Sequence, residues 1–175
     1  MANNSKLCHV VVTPSRNELD FLPDLAESMI NQSIIPSAWI IVSHNSGEEA
    51  REYLREISSR HEWISVISID DQSTRKRGSQ IAKLVNLGLS ETNLNWDFFS
   101  KIDADMVLPS NYFENIFSKF ANSEKLGIAG GTCFLQTIRG KSIEKVANDH
   151  TRGGLKTYRR PCLDEIGGIR EIDGW

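Results

Sequence analysis

The residues best suited to chemistry are two aspartates one position apart, Asp103 and Asp105, with the small Ala104 between them. In extended backbone alternate side chains point to one side, so both carboxylates can converge on a single cation. Hard carboxylate oxygens suit Mg2+ or Mn2+, ions that keep part of their water shell and bridge the oxygens of a diphosphate. An Asp-x-Asp also arises by chance, and Asp105 then does no more than shape a turn before Pro109. The upstream run Phe98-Phe99-Ser100-Lys101-Ile102 favours the cation, because it sets the pair at the carboxyl end of a strand.

Other segments offer weaker chemistry. In Pro14-Ser15-Arg16-Asn17-Glu18 the proline stops a strand, and Glu18 can accept hydrogen bonds from ribose hydroxyls. The same residues also suit a helix start, with Asn17 as cap and Glu18 and Asp20 at the positive end of the dipole. Arg75-Lys76-Arg77-Gly78 puts cations before a helix, where phosphates bind, although charge runs are commonly solvated. Arg159-Arg160 carries the same two readings. His150, alone in an irregular stretch, reads as a surface residue ahead of a metal ligand or acceptor contact.

The elements that must position these groups alternate. Leu7 to Thr13, Ala38 to Val42, Trp63 to Ile69 and Phe98 to Ile102 are short apolar runs of the kind buried on both faces of a sheet. Between and after them, Leu22, Leu25 and Met29, then Glu48 to Ile57, Gln80 to Leu89 and Asn111 to Phe120 have helical character. This rhythm predicts an α/β fold, a three-layer α/β/α sandwich with a mostly parallel central sheet and right-handed crossovers. Ligands then sit beyond the carboxyl ends of the strands, at Pro14–Glu18, Ser43–Gly47, Asp70–Gly78 and Asp103–Pro109. After Gly127 the rhythm breaks. One or two strands are expected over Ile128 to Ile138, no clear period over Lys141 to Gly154, a strand over Leu155 to Tyr158, and a short helix between Pro161 and Gly167-Gly168. Trp39 and Trp63 fall in strand patterns and read as core, while Trp175 is a candidate acceptor contact.

Composition narrows the class. A chain of 175 residues suits one domain, and its net charge of −3 leaves no basic stripe for nucleic acid. Cys8, Cys133 and Cys162 are odd in number and far apart, which fits reduced thiols and a cytoplasmic setting, with peripheral membrane attachment as the alternative. No apolar run reaches the roughly 18 residues of a membrane span.

Taken in order and spacing, these segments resemble the large family 2 of inverting glycosyltransferases, which has the GT-A fold, over about Val10 to Trp175. Val11-Val12-Thr13-Pro14-Ser15-Arg16-Asn17-Glu18 looks like the family's opening strand and nucleotide loop. Leu25, Ser28, Gln32 and Pro36 fall where its first helix carries the same types. Trp39-Ile40-Ile41-Val42 matches its second strand, and Gly78, Ala82, Asn86 and Gly88 its third helix. Ile102-Asp103-Ala104-Asp105 with Leu108-Pro109 and Tyr112 matches its DxD segment. Tyr158-Arg159-Arg160, then Leu163, Glu165 and Gly167-Gly168, look like its acceptor-side helix.

The resemblance implies a nucleoside-diphosphate sugar donor, an acceptor that is a carbohydrate, a lipid-linked molecule or a protein, and Mn2+ or Mg2+ on Asp105. Asp103 is then expected to touch the donor's ribose or sugar, and Pro14 and Glu18 to line the nucleoside pocket. Arg16, Asn17, Ser43, Asn45, Arg77 and Gly78 complete the expected donor site. Where the family often has Asp-Asp-Gly-Ser, with its first Asp pairing a uracil ring, this chain has Ser43-His44-Asn45-Ser46, which leaves the base open. The catalytic base is expected at Asp173, with Glu171 as the other candidate; Asp173-Gly174-Trp175 also fits the opening of the family's base motif, with the base just beyond. Residues 1–175 are accordingly expected to be one GT-A nucleotide-sugar-binding and catalytic domain, truncated at its C-terminal end. Two rivals remain: a catalytically incomplete domain that binds nucleotide-sugar without transfer, and a haloacid-dehalogenase-type phosphatase with Asp103 as nucleophile. Sugar nucleotidyltransferases share such a sheet, but the first loop lacks their glycine-rich phosphate signature.

Overall fold

A computed structural model describes residues 7–72, 78–138, 140–145, 147 and 150–172. Strand and helix alternate through β1 (His9–Ser15), α1 (Leu22–Ile30), β2 (Ala38–His44), α2 (Glu48–Arg60), β3 (Ile64–Ile69), α3 (Ser79–Ser90), β4 (Phe98–Ile102) and α4 (Tyr112–Ala121). There follow β5 (Ile128–Ala129), the antiparallel pair β6 (Phe134–Thr137) and β7 (Gly140–Ile143), then β8 (Leu155–Arg159) and α5 (Arg160–Glu165).

The main sheet has six strands in the order β3-β2-β1-β4-β8-β5. β1 to β4 are mutually parallel, whereas β8 runs antiparallel to both β4 and β5. Side chains alternate between two apolar layers. Val11, Trp39, Ile41, Phe98 and Ile102 pack with Leu25 and Met29 of α1, Leu54 of α2, and Phe113 and Phe117 of α4. Val10, Val12, Ile40, Val42 and Phe99 pack on the opposite side with Ala82 and Val85 of α3 and Leu163 of α5. Three layers result, as the alternation predicts. Each fully buried apolar side chain contributes about 1.5–3 kcal/mol relative to exposure, so these two faces are the main stabilising feature. Gly88 brings α3 close to the sheet, since a Cβ there would stand 2.6 Å from Val12 Cγ1 and 2.9 Å from Val42 Cγ2.

One polar chain crosses the core. His9 Nε2 and Thr157 Oγ1 each lie 2.7 Å from Ser100 Oγ, linking β1, β4 and β8. His9 is wholly buried, edge-on to Phe113 and Phe117, and burial lowers its pKa from 6.5 to about 3. It is therefore a neutral imidazole in the folded protein.

Several expectations change. Pro14 does not stop the first strand. β1 continues to Ser15 by pairing with β2, after its ladder to β4 has ended at Val12, so a missing N–H is tolerated on that open side. Asn17 caps no helix: α1 begins at Leu22 with Phe21 in the cap position and Pro in the first turn. β7 occupies residues expected to have no clear period, because every residue of β6 and β7 is exposed and leaves no buried face to read. The chain leaves the sheet after β5 and re-enters it on the neighbouring strand, where a Cβ on Gly130 would lie 2.5 Å from the Leu155 carbonyl oxygen.

Candidate functional site

Sheet order fixes where a site forms. The chain first adds strands on one side of β1, through α1 and α2, then crosses by α3 to place β4 on the other side. That reversal opens a crevice beyond the carboxyl ends of β1 and β4. A cavity of about 660 Å³ lies there, within the usual range for a small-molecule site. Its walls are Pro14 and Ser15 at the end of β1 with Arg16 and Glu18 just after it, His44 at the end of β2, and Gly78 before α3 with Gln80, Ile81 and Leu84 in its first turns. Lys101, Asp103, Ala104 and Asp105 close it from β4, and Gly153 and Gly154 from the approach to β8.

Asp103 and Asp105 line this cavity together, although not on extended backbone. The Met106 N–H donates to the Asp103 carbonyl over 3.2 Å, so the pair sits in a turn. The turn buries Ala104 and leaves Asp105 exposed. Asp103 is held from two directions. Its N–H donates to the Gly154 carbonyl over 2.9 Å, and its carboxylate pairs with the Lys101 ammonium, which also donates to the Gly153 carbonyl over 2.9 Å. Gly154 lets β8's approach lie tight against this carboxylate, since a Cβ there would stand 2.7 Å from Asp103 Oδ2 and displace it.

Across the cavity, the β1 and β2 loops are bolted together. Asn17 adopts a left-handed backbone (φ 54), donates its N–H to Ser46 Oγ over 3.2 Å and accepts from the Gly47 N–H. Glu18 Oε2 accepts from the Arg16 N–H over 3.3 Å. Gly78 takes a positive φ of 77° and its carbonyl accepts from Ala82 in the first turn of α3.

Of the expected site residues, Pro14, Arg16, Glu18, Gly78, Asp103 and Asp105 come together on the cavity. Asn17 supports the loop and is not on the cavity wall. Ser43 is also absent from the wall: it is 2% exposed and its hydroxyl lies 2.9 Å from that of Ser46. Asn45 binds Asp71. Arg77, with Arg75 and Lys76, and the expected base Asp173, with Gly174 and Trp175, lie outside the described residues. Glu171 accepts from Asn86 Nδ2 over 3.2 Å, beside α3. Arg159 and Arg160 are no phosphate ligands of this site. β8 runs backwards, so Arg159 pairs with Phe98 at the far end of β4, where it donates to the carbonyls of Phe120, Ser123 and Leu126. Arg160 donates to Asn95 and Trp96 at that same end. His150 is exposed, as expected. Asp103 follows the fourth strand, whereas the phosphatase reading needs its nucleophile on a first one. Sequence reasoning missed His44, Lys101 and the Gly153-Gly154 pair.

Comparison with known proteins follows this geometry. The model of the family described as "Glycosyl transferase family 2" matches residues 10–164. No curated protein matches the chain significantly. Among solved structures the chain is similar to a mannosyltransferase, PcManGT from Pyrobaculum calidifontis in complex with GDP-Man and Mn2+, at 16% identity and a TM-score of 0.70, covering 98% of this chain and 50% of that one. It is also similar to S. aureus TarS 1-349 in complex with UDP-GlcNAc, at 12% identity and a TM-score of 0.63, covering 91% of this chain and 47% of that one. A third is GalNAc-T7 with UDP, GalNAc and Mn2+, at 14% identity and a TM-score of 0.64, covering 95% and 38%. Likeness at these identities is likeness of fold, and the chain spans half or less of each of these structures. Among the described residues no helix is long and apolar enough to cross a membrane.

Proposed function

The chain belongs to glycosyl transferase family 2, and from that premise we propose that it is a nucleotide-sugar-binding and catalytic domain, acting with Mn2+ or Mg2+ to transfer a sugar to an acceptor hydroxyl with inversion. The observation that carries the proposal is the meeting of Glu18, Asp103 and Asp105 on one cavity at the sheet's reversal point. The similar structures bound to GDP-Man with Mn2+, to UDP-GlcNAc, and to UDP with GalNAc and Mn2+ support it.

Among the described residues no group of three or more His, Cys, Asp or Glu is gathered as a self-sufficient metal cage. That composition fits Mg2+ or Mn2+, which take one or two carboxylates and complete their shell with water and substrate phosphate. Asp105, exposed on the cavity wall, would hold the ion, which when bound offsets charge on the departing diphosphate. Lys101 keeps Asp103 in place to receive ribose or sugar hydroxyls, and Glu18 accepts from the nucleoside side. Gly78 opens α3 toward the phosphates, and Arg77, its neighbour in sequence, would add positive charge for them. Asp173 takes the proton from the acceptor hydroxyl; the freed oxygen attacks the anomeric carbon, and the bond to the nucleoside diphosphate breaks on the opposite face. A second reading is donor binding without transfer.

The test is thermal melting of the chain and of Asp105→Ala against nucleoside diphosphates, with and without Mn2+. A ligand at one hundred times its dissociation constant adds about 2.7 kcal/mol, a clear shift in Tm. Stabilisation that needs both the metal and Asp105 is expected; equal stabilisation of Asp105→Ala would remove the metal assignment. Release of nucleoside diphosphate from a nucleotide-sugar then separates transfer or hydrolysis from binding alone.

A further inference from the structure

Between β5 and β8 the chain leaves the main sheet and forms a hairpin of its own, β6 paired with β7. Its base is fastened. The Glu144 N–H donates to the carbonyl of the buried Cys133 over 2.9 Å, and the Glu144 carboxylate pairs with Arg152 on the approach to β8. Beyond that base every residue of both strands is exposed. Phe134 stands opposite Ile143 on one face, Leu135 points to the other, and Ile138 at the turn is fully exposed.

Such a composition does not suit a hairpin left in water. Tight turns favour Asn, Asp and Gly, and open strand edges are normally guarded by charge. Here Phe134, Leu135, Ile138 and Ile143 crowd into one short segment, whereas elsewhere among the described residues exposed large apolar side chains occur singly along the chain. None of the four belongs to either apolar layer of the core. The charges are equally one-sided. Residues 134–143 include Arg139 and Lys141 and no acid, and Lys145 follows, in a chain whose net charge is −3. Glu144, the acid at the base, is already paired with Arg152.

Apolar groups on both faces and at the turn decide what can cover them. A flat protein surface would cover one face and leave the other in water. A lipid bilayer closes around an inserted hairpin from all sides, and anionic headgroups attract Lys and Arg close to them. Insertion is shallow, because the open strand edges need water or headgroups for their N–H and C=O groups and find neither in the hydrocarbon core. The remainder of this acidic chain is repelled by the same surface, so the molecule meets it hairpin first. We propose that the β6–β7 hairpin is a membrane-docking element, which inserts Phe134, Leu135, Ile138 and Ile143 into the interface of an anionic lipid bilayer and sets Lys141 and Lys145 among the headgroups. Docking of this kind needs no donor, and it stands or falls separately from the donor site.

The test is co-sedimentation of the chain with vesicles of phosphatidylcholine alone and of phosphatidylcholine mixed equally with phosphatidylglycerol. Binding to the mixed vesicles is expected, at least about tenfold tighter than to the neutral ones. Ile138→Ser should weaken that binding about tenfold. Lys141→Gln should weaken it about fivefold and leave neutral vesicles unaffected. Both substitutions replace exposed side chains, so an unchanged Tm shows that the fold is intact. Ile35→Ser, at an exposed apolar residue outside the hairpin, should bind as the unaltered chain does. Failure to bind the mixed vesicles overturns the proposal, as does binding that Ile138→Ser leaves unchanged or that Ile35→Ser weakens equally. Sedimentation without vesicles checks the other occupant: a dimer that Ile138→Ser dissociates would assign the hairpin to a second copy of this chain and overturn docking to lipid.

Discussion

At the scale of single residues, the least legible part of the site is Lys101. A lysine in a strand reads from sequence as a solvated charge, yet this one is 2% exposed and spans Asp103 and the Gly153 carbonyl. Lys156 stands directly opposite it in the β4–β8 ladder, and its pKa is lowered by burial and by the Lys101 charge. Like charges in register are costly, so Lys101 earns its place by holding Asp103 and the glycine approach to β8. Replacing it by Met should cost about 1–3 kcal/mol, the penalty for stranding a charged partner, discounted because the Asp103 side chain is 32% exposed. Urea denaturation measures this, and an unchanged midpoint would show that Asp103 does not depend on Lys101. Glu18, Asp103 and Asp105 were legible because polar residues following an apolar strand stand out. His44, Lys101, Gly153 and Gly154 were not, because they reach the cavity through strand pairing and the return of a distant segment. Ser43 and Asn45 belong to the right loop, but one is buried against Ser46 and the other is bound to Asp71.

At the scale of elements, burial decides what can be read. β1, β2 and β4 announce themselves because both faces are covered, and α1 to α4 because each turns one apolar stripe to the sheet. The exposed pair β6 and β7 gives no such pattern, and the direction of β8 depends on pairing far along the chain. Contact between α3 and the sheet makes a prediction of its own. Gly88→Ala should gain about 1 kcal/mol in helix propensity, yet its Cβ would meet Val12 and Val42 at 2.6 and 2.9 Å. Overpacking of this kind costs about 1–3 kcal/mol, so net destabilisation is expected. Adding Val42→Ala should recover part of that loss, and a double-mutant cycle reads the coupling directly. Strict additivity would mean that α3 moves away from the sheet instead of pressing on it.

At the scale of the whole molecule, the buried His9 makes stability depend on pH. Its pKa falls from 6.5 to about 3 on folding, so below about pH 6.5 the unfolded chain takes up a proton that the folded one refuses. This contribution is complete above pH 6.5 and is lost as the pH falls toward 3. Between about pH 7.5 and pH 5 the chain should lose about 2 kcal/mol more than His9→Gln, as read by urea denaturation at both values. Parallel losses would mean that His9 titrates as freely in the folded state as in the unfolded. The return of the chain to its point of departure, after β5 and into β8, has a different kind of consequence. A segment whose two ends meet on adjacent strands closes a loop that the sheet already holds shut, and lengthening such a loop adds little entropy cost. The stretch carrying β6 and β7 is therefore a cassette. Descendants of this chain can exchange or enlarge it, and explore new surfaces, while the inherited frame of parallel strands stays untouched.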